Sequence, residues 1–396
     1  MQTNSKKTIF LNLGPSHPAM HGTIHFEAEV DGEIIENIKA RIGYLHCGFE
    51  KQAESMSYHQ YIAVTDRMNY LSPLCNNLAY CLSVEKLLEI KAPKKAEVLR
   101  IILAELSRIA DHMVWLGTHA VDIGAMTPFF YGFQEREKIY DIFVEISGAR
   151  MTTSFIRIGG VAKDFTSKSY QMIREFTKNH IRVLNDIDTL LTKNKIWINR
   201  TRNIGCILRE DAINLGITGP ALRASGEPRD IRKLEPYSSY EDFEFEIPLA
   251  YKGDVYSRYL VRLEEVRQSI KIINQAVNNV PSGKYILDEY NIACPTQNGK
   301  NYISSAEELI HHFKLIMDGH GIRPREGEAY VPTEAPNGEL GFYIVSDGTD
   351  KPYRVRVRPP SFLHINAVPY MSKGHLISDI VGILASMNVI AGEMDR

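Results

Sequence analysis

Residues 94–118 read KKAEVLRIILAELSRIADHMVWLGT, and this stretch decides the fold class. Leu99, Ile102, Leu106, Ile109, Met113 and Leu116 recur at three- and four-residue steps, the apolar stripe of a helix that begins after Pro93. Upstream, Ser72-Pro73 supplies an N-cap and a first-turn proline ahead of Leu74, Leu78, Cys81, Leu82 and Leu88. Downstream, Thr127-Pro128 opens a third helix in the same way, to about Gly148. The pattern predicts further helices over 168–192 and 257–280, and Ser372 is expected to cap a closing helix through Met387. Helices therefore dominate.

Strand signals are confined to two places. Ile24, Phe26, Ala28 and Val30 alternate with His25, Glu27 and Glu29, and Asp31-Gly32 turns the chain into a second strand over 33–42. Near the other end, 341–345 and 353–358 flank a Ser-Asp-Gly-Thr-Asp turn. Pro and Gly punctuation over 219–236 predicts a long irregular connection. The expected fold is mainly α with small β additions. Residues 1–47 form a β-rich segment with an N-terminal hairpin, and 48–396 form a helical bundle with a C-terminal hairpin and closing helix. The two are read as one cooperative unit, without internal repeats.

Composition removes whole classes of function. With 44% apolar and 24% charged residues, the 396-residue chain has globular rather than disordered usage. Lys plus Arg is 46 against 48 for Asp plus Glu, so no electrostatic case exists for nucleic acid. The cysteines (Cys47, Cys75, Cys81, Cys206, Cys294) are odd in number, and no two form a CxxC pair. That argues against a disulfide framework, a zinc ribbon or a self-ligated iron–sulfur cluster. No apolar run approaches the ~18 residues of a membrane span. The opening MQTNSKKTIF lacks a signal-peptide core. A soluble, reducing-compartment protein with at most a peripheral membrane role is expected. Neither a GxGxxG after a strand, nor GxxxxGK[ST], GxSxG or HExxH is present, which disfavours nucleotide binding and metalloprotease chemistry.

Four places carry chemistry. His17 and His21 in GPSHPAMHG have the spacing of a helical metal pair. Pro15, Pro18 and Gly22 oppose a helix there, so a loop with ordinary hydrogen-bonding histidines is the stronger reading. Tyr70, in Asp66-Arg67-Met68-Asn69-Tyr70, precedes the Ser72-Pro73 helix start. A positive helix end and Arg67 would both stabilise an anion at its phenol, although a packing role under the cap is the commoner case. Asp122 follows a long apolar helix face and is either a turn residue or a carboxylate that orients a histidine. Arg354, Arg356 and Arg358 alternate on one strand face, which suits a solvated edge better than an acidic partner.

Together these segments resemble the quinone-site (49-kDa, or D-type) subunit family of respiratory complex I. The matching stretches are GPSHPAMHG (14–22), IGYLHCGFEK (42–51), DRMNYL (66–71), LAYCLSVEKLL (78–88) and ELSRIADHMVWLGT (105–118). They continue in order with DIGAMTPFF (122–130), GARM (148–151), RIGGV (157–161), GELGFYIVSDG (338–348) and GEMDR (392–396). That family is similar to the large subunit of [NiFe] hydrogenases, whose metal is held by two CxxC pairs. Here the four thiolate positions fall on Asn69, Ser72, Ile390 and Glu393, none of which supplies a soft ligand. An active hydrogenase large subunit is disfavoured on that chemistry, and no metal is expected on this chain. A non-catalytic scaffold of the same fold is the other alternative.

The resemblance implies a hydrogenase-large-subunit-like helical bundle forming the quinone site of a proton-pumping NADH:quinone oxidoreductase, inactive alone. By motif, Tyr70 and His21 hydrogen-bond the two quinone carbonyl oxygens, and Asp122 pairs with His21. His17 and Arg67 line the region between the pocket and a [4Fe–4S] cluster carried by a neighbouring subunit. Implied partners are the cluster-bearing B-type subunit, the C-type subunit, the ferredoxin-like I-type subunit and the membrane H-type subunit, on the cytoplasmic face of a bacterial inner membrane. Two positions depart from the family. Cys47 replaces an arginine of mitochondrial relatives, and Thr152 stands where many relatives have a histidine near the cluster.

Overall fold

The computed structural model of the chain describes residues 8–20, 23–287, 303 and 305–396. Among these the architecture is mainly helical with small antiparallel sheets, in agreement with the pattern. An N-terminal sheet orders β1 (Thr8–Leu13), β2 (His25–Asp31) and β3 (Ile34–Arg41). The predicted hairpin is its β2–β3 half, closed at Asp31↔Ile34 with a bulge at Glu29/Val30. As the alternation requires, Ile24, Phe26, Ala28 and Val30 are all buried.

Helices follow as α1 (Phe49–Ala53), α2 (Tyr58–Thr65), α3 (Pro73–Leu87), α4 (Lys94–Asp122) and α5 (Met126–Ser147). A two-residue ladder of β4 (Ile156–Arg157) and β5 (Gly160–Val161) precedes α6 (Ser167–Leu191). The short α7 (Lys195–Thr201), α8 (Arg209–Asn214), α9 (Gly219–Arg223) and α10 (Ile231–Leu234) lead to α11 (Val255–Asn278) and α12 (Ala306–Ile316). A second antiparallel sheet runs β6 (Gly327–Ala335), β7 (Gly338–Ser346), β8 (Arg354–Arg358). Helices α13 (Pro360–Ser372), α14 (Ile377–Met387) and α15 (Ala391–Asp395) close the chain.

Helix α4 is the axis of the molecule. Every residue from Val98 to Gly117 is buried, so the predicted apolar stripe is accompanied by a buried polar face. That face is neutralised by partners: Arg100 by Glu85 on α3, Arg108 by Glu105 one turn away, and His112 by Glu265 on α11. Against α5 the backbones nearly touch. A Cβ on Gly132 would lie 2.7 Å from the Met113 carbonyl oxygen, so only glycine permits this crossing.

Three expectations need correction. Ser372 ends α13 rather than capping the closing helix; Gly374, at φ 80°, breaks the chain there, and α14 starts at Ile377. The third helix begins at Met126, one residue before Thr127, with Ala125 at its N-cap. The 219–236 connection is irregular only in part, because α9 and α10 form within it.

Candidate functional site

The site is built on the turn 66–72 between α2 and α3. Helix α2 is fixed at its start by a capping box of Ser57 and Gln60. At its end, Asn77 Nδ2 donates to Ile62 O at 3.2 Å and to Thr65 Oγ1 at 3.0 Å, which ties α3 to the last turn. Asn69 then organises the loop: its Oδ1 accepts from the amides of Leu71 and Ser72, both at 3.2 Å. The buried Asn69 and Ser72 therefore anchor a turn that leaves Tyr70 between them 38% exposed.

The C-terminal residues brace this turn. Gly392 lies so close to it that a Cβ there would be 2.6 Å from Met68 O and 3.0 Å from Arg67 O. Asp395 at the end of α15 accepts from Gly43 N at 2.9 Å and Leu45 N at 2.8 Å, and its carbonyl meets His46 Nδ1 at 2.7 Å. Arg396 Nε donates to Glu50 Oε1 at 3.0 Å. The loop 42–48 is thereby held against the turn, with a cleft of about 480 Å³ between them. Leu45, Cys47, Phe49, Val64, Arg67 and Gly392 are among its walls.

Of the residues singled out from sequence, Tyr70 and Arg67 share the turn. His17 is exposed in the β1–β2 loop, where its Nδ1 accepts from Ala19 N at 3.2 Å. His21 lies outside the described residues. Asp122 is the last residue of α4 and half-buried. Helix α14 touches both the 3-10 turn Pro18–Met20 and the residue after α4, where a Cβ on its Gly382 would meet Ile123 at 4.0 Å. Arg354 faces Glu54, just past α1, at 3.5 Å, and Arg356 faces Glu50 of α1 at 3.9 Å, while Arg358 Nη1 donates to Thr218 Oγ1 at 3.2 Å.

One electrostatic expectation fails. Burial, and then the negative charge of Asp111, push the Tyr70 phenol above its ordinary pKa, so the site keeps the neutral phenol rather than an anion. Arg67 is turned the other way, with Nη1 donating to Ala63 O and, at 3.1 Å, to Asp66 Oδ1. Burial raises Asp66 to about 6 despite Arg67 and Arg157 nearby.

Behind Tyr70 lies a polar cluster that sequence reasoning missed. Asn69, Ser72, Ile390 and Glu393, the positions that the resemblance sets against hydrogenase thiolates, are all buried. Asp111 of α4 joins them, its Oδ1 accepting from Asn388 Nδ2 at 2.6 Å. Ser361 N donates to Glu393 Oε1 at 3.2 Å, and Ser361 Oγ accepts from Ile390 N at 3.0 Å. The available signal was an aspartate inside a helix too apolar to leave it exposed. Among the described residues, no group of three or more His, Cys, Asp or Glu side chains is arranged to hold a metal ion.

Comparison with known proteins gives one answer. The family model for the respiratory-chain NADH dehydrogenase 49 Kd subunit matches residues 122–396. The D-type subunit of the NADH-quinone oxidoreductase of Geotalea uraniireducens is 48% identical over 392 residues, 99% of this chain and 100% of the relative. Its counterpart in Geobacter metallireducens is 46% identical over the same shares. A second-copy D-type subunit from a Roseiflexus species is 47% identical over 99% of this chain and 94% of its own. The chain belongs to the 49-kDa, or D-type, subunit family of the respiratory-chain NADH dehydrogenase and is thus a component of the NADH-quinone oxidoreductase complex.

Proposed function

We propose that this subunit forms the quinone-reducing site of its complex, with Tyr70 as one proton donor and His21 as the other. A quinone that gains two electrons must gain two protons, and a phenol and an imidazole at opposite carbonyl oxygens suit that task. The observation that carries the reading is Tyr70 itself: partly exposed, fixed by the Asn69 turn, and kept protonated by burial and Asp111. Asp122 is assigned the orientation of His21. His17 and Arg67 are assigned to the approach from a [4Fe–4S] cluster in the B-type subunit, from which electrons arrive singly. Other contacts are assigned to the C-type, I-type and membrane H-type subunits, with the chain peripheral on the cytoplasmic face. No helix among the described residues is long and apolar enough to cross a membrane. Proton pumping belongs to the whole complex, which this site would drive.

Tyr70→Phe tests the assignment. It removes one hydroxyl, at a cost to the fold of about 1 kcal/mol, so the complex should assemble and reduce artificial acceptors. Quinone reduction should fall by about 10²-fold or more, the usual contribution of a positioned acid. Near-normal quinone turnover by the assembled variant would favour a scaffold without a catalytic pocket.

A further inference from the structure

Asp111 and Glu393 are fully buried carboxyl groups that the quinone-site reading leaves without a task. Each has one oxygen engaged, Asp111 Oδ1 by Asn388 and Glu393 Oε1 by Ser361. The other oxygens, Asp111 Oδ2 and Glu393 Oε2, are buried without a hydrogen-bond partner, as is Ser72 Oγ in the Tyr70 turn. An ionised carboxylate in that condition is costly, and two that sense each other are costlier still, so the pair favours holding a proton. The surroundings are mostly amides and hydroxyls. Asn69 and Asn388 face Asp111, while Ser361 and Asn337 face Glu393. The charged neighbours of Asp111 are His112, itself bonded to Glu265 at 2.9 Å, and Arg262 of α11. Gly392, the residue before Glu393, packs directly against the backbone of Met68 and Arg67.

We infer that Asp111 and Glu393 are a buried proton store behind Tyr70, which restores the phenol after it has protonated the quinone. The inference rests on the quinone-site reading. The step is a proton transfer without electron movement: the Glu393 O–H bond breaks, Asp111 passes the proton, and the Tyr70 Oη–H bond re-forms. Glu393 is left as a carboxylate and takes its next proton from solvent. Asp111 is assigned the near end, because Asn69, the residue before Tyr70 in the turn, faces its carboxyl group. Burial, with a smaller push from Asp111, raises Glu393 to about 7. The store is therefore full below that pH and empties as pH rises through it.

The experiment uses the assembled complex in membranes, with a short-chain quinone as probe and rates normalised to artificial-acceptor reduction. Wild type should lose quinone reductase activity on an alkaline limb centred near pH 7. A flat wild-type profile between about pH 6 and pH 8.5 overturns the inference. Glu393→Gln, which cannot release a proton, should lower the rate at pH 6 by roughly tenfold and flatten the limb. A profile parallel to wild type would show that Glu393 is a structural polar contact only. Asn388→Asp serves as the second variant, since it is isosteric and aspartate tolerates the φ of 53° found there. The added carboxylate beside Asp111 should shift the limb up by about one pH unit, and an unmoved limb again overturns the store. If instead Tyr70→Phe retains quinone reduction, the quinone-site reading itself fails. Loss in Tyr70→Phe with an unmoved limb in the other variants rejects the store alone.

Discussion

Thr152 adopts φ 47°, a left-handed conformation that is rare for a β-branched residue and several-fold commoner for histidine. The histidine that the resemblance implies here would therefore fit this backbone better than the threonine present. Placed near a cluster, a histidine would bind a proton more tightly once reduction added negative charge, and the cluster potential would fall with rising pH. Full coupling of one proton to one electron gives about 59 mV per pH unit. Threonine does not titrate in this range, so the terminal cluster of the assembled complex should show a nearly flat potential between about pH 6 and pH 8. Potentiometric EPR at several pH values checks this, and a slope close to full coupling would reveal another proton acceptor. Thr152→His should introduce a slope without loss of stability. The sequence singled out Tyr70 and Arg67, which the structure sets on one turn, but not their electrostatics. The group that acts on the phenol, Asp111, comes from a distant helix, and Arg67 spends its charge on its own helix end and Asp66.

At the scale of elements, the contact between the C-terminal segment and the 66–72 turn is the one that would position the proposed site. Gly392→Ala should test it. The new Cβ would meet backbone carbonyls on the facing turn, which cannot rotate away as a side chain could. Overpacking of this kind costs about 1–3 kcal/mol, and relief requires moving Tyr70 or the Asp395 clasp. The expected result is a lower thermal midpoint for the complex and a raised quinone KM, with artificial-acceptor reduction unchanged. An unaltered KM would show that the clasp does not set the site. The long helices could be read from their period, because apolar residues at three- and four-residue steps have few other uses. Strand β6 could not: Pro332 argues against a strand, and only its place at the sheet edge, paired to β7 alone, makes the proline acceptable. Strand β1 was equally hidden, since TIFLNL does not alternate and leaves Ile9 and Phe10 exposed. The buried polar face of α4 was beyond sequence reading, because its partners on α3 and α11 are brought there by the tertiary fold.

Across the whole molecule two kinds of surface matter, one outside and one within. Outside, Phe10, Phe130, Ile196, Leu208 and Tyr251 are each more than half exposed, and α12 leaves Leu309, Ile310 and Phe313 uncovered. Exposed apolar area on a subunit marks contact with neighbours, so the chain expressed alone should aggregate or bind chaperones, and co-expression with partner subunits should rescue it. A monodisperse monomer that captures no complex I subunit would contradict that. Within, buried ion pairs join α4, α9, α10, α11 and β6. Arg232 bridges Glu105 at 3.1 Å and Asp230 at 2.7 Å, while Arg223 meets Glu334 at 2.8 Å and also Glu265. Burial alone would raise the Glu265 pKa, but Arg223, with help from His112, holds it well below the usual carboxylate range. Such a group binds fewer protons folded than unfolded, so its stabilisation is complete above the unfolded value of about 4.3 and is lost as pH falls through the folded one. Arg223→Met should leave Glu265, Glu334 and Asp230 short of positive charge, at a cost of about 3–5 kcal/mol at neutral pH. In the variant these carboxyls regain ordinary or raised pKa values, and protonation relieves them. The difference in unfolding midpoint between wild type and Arg223→Met, measured on the assembled complex, should therefore narrow between about pH 7 and pH 4. A gap that stays constant over that range would mean that lost packing, rather than unpaired charge, accounts for the damage.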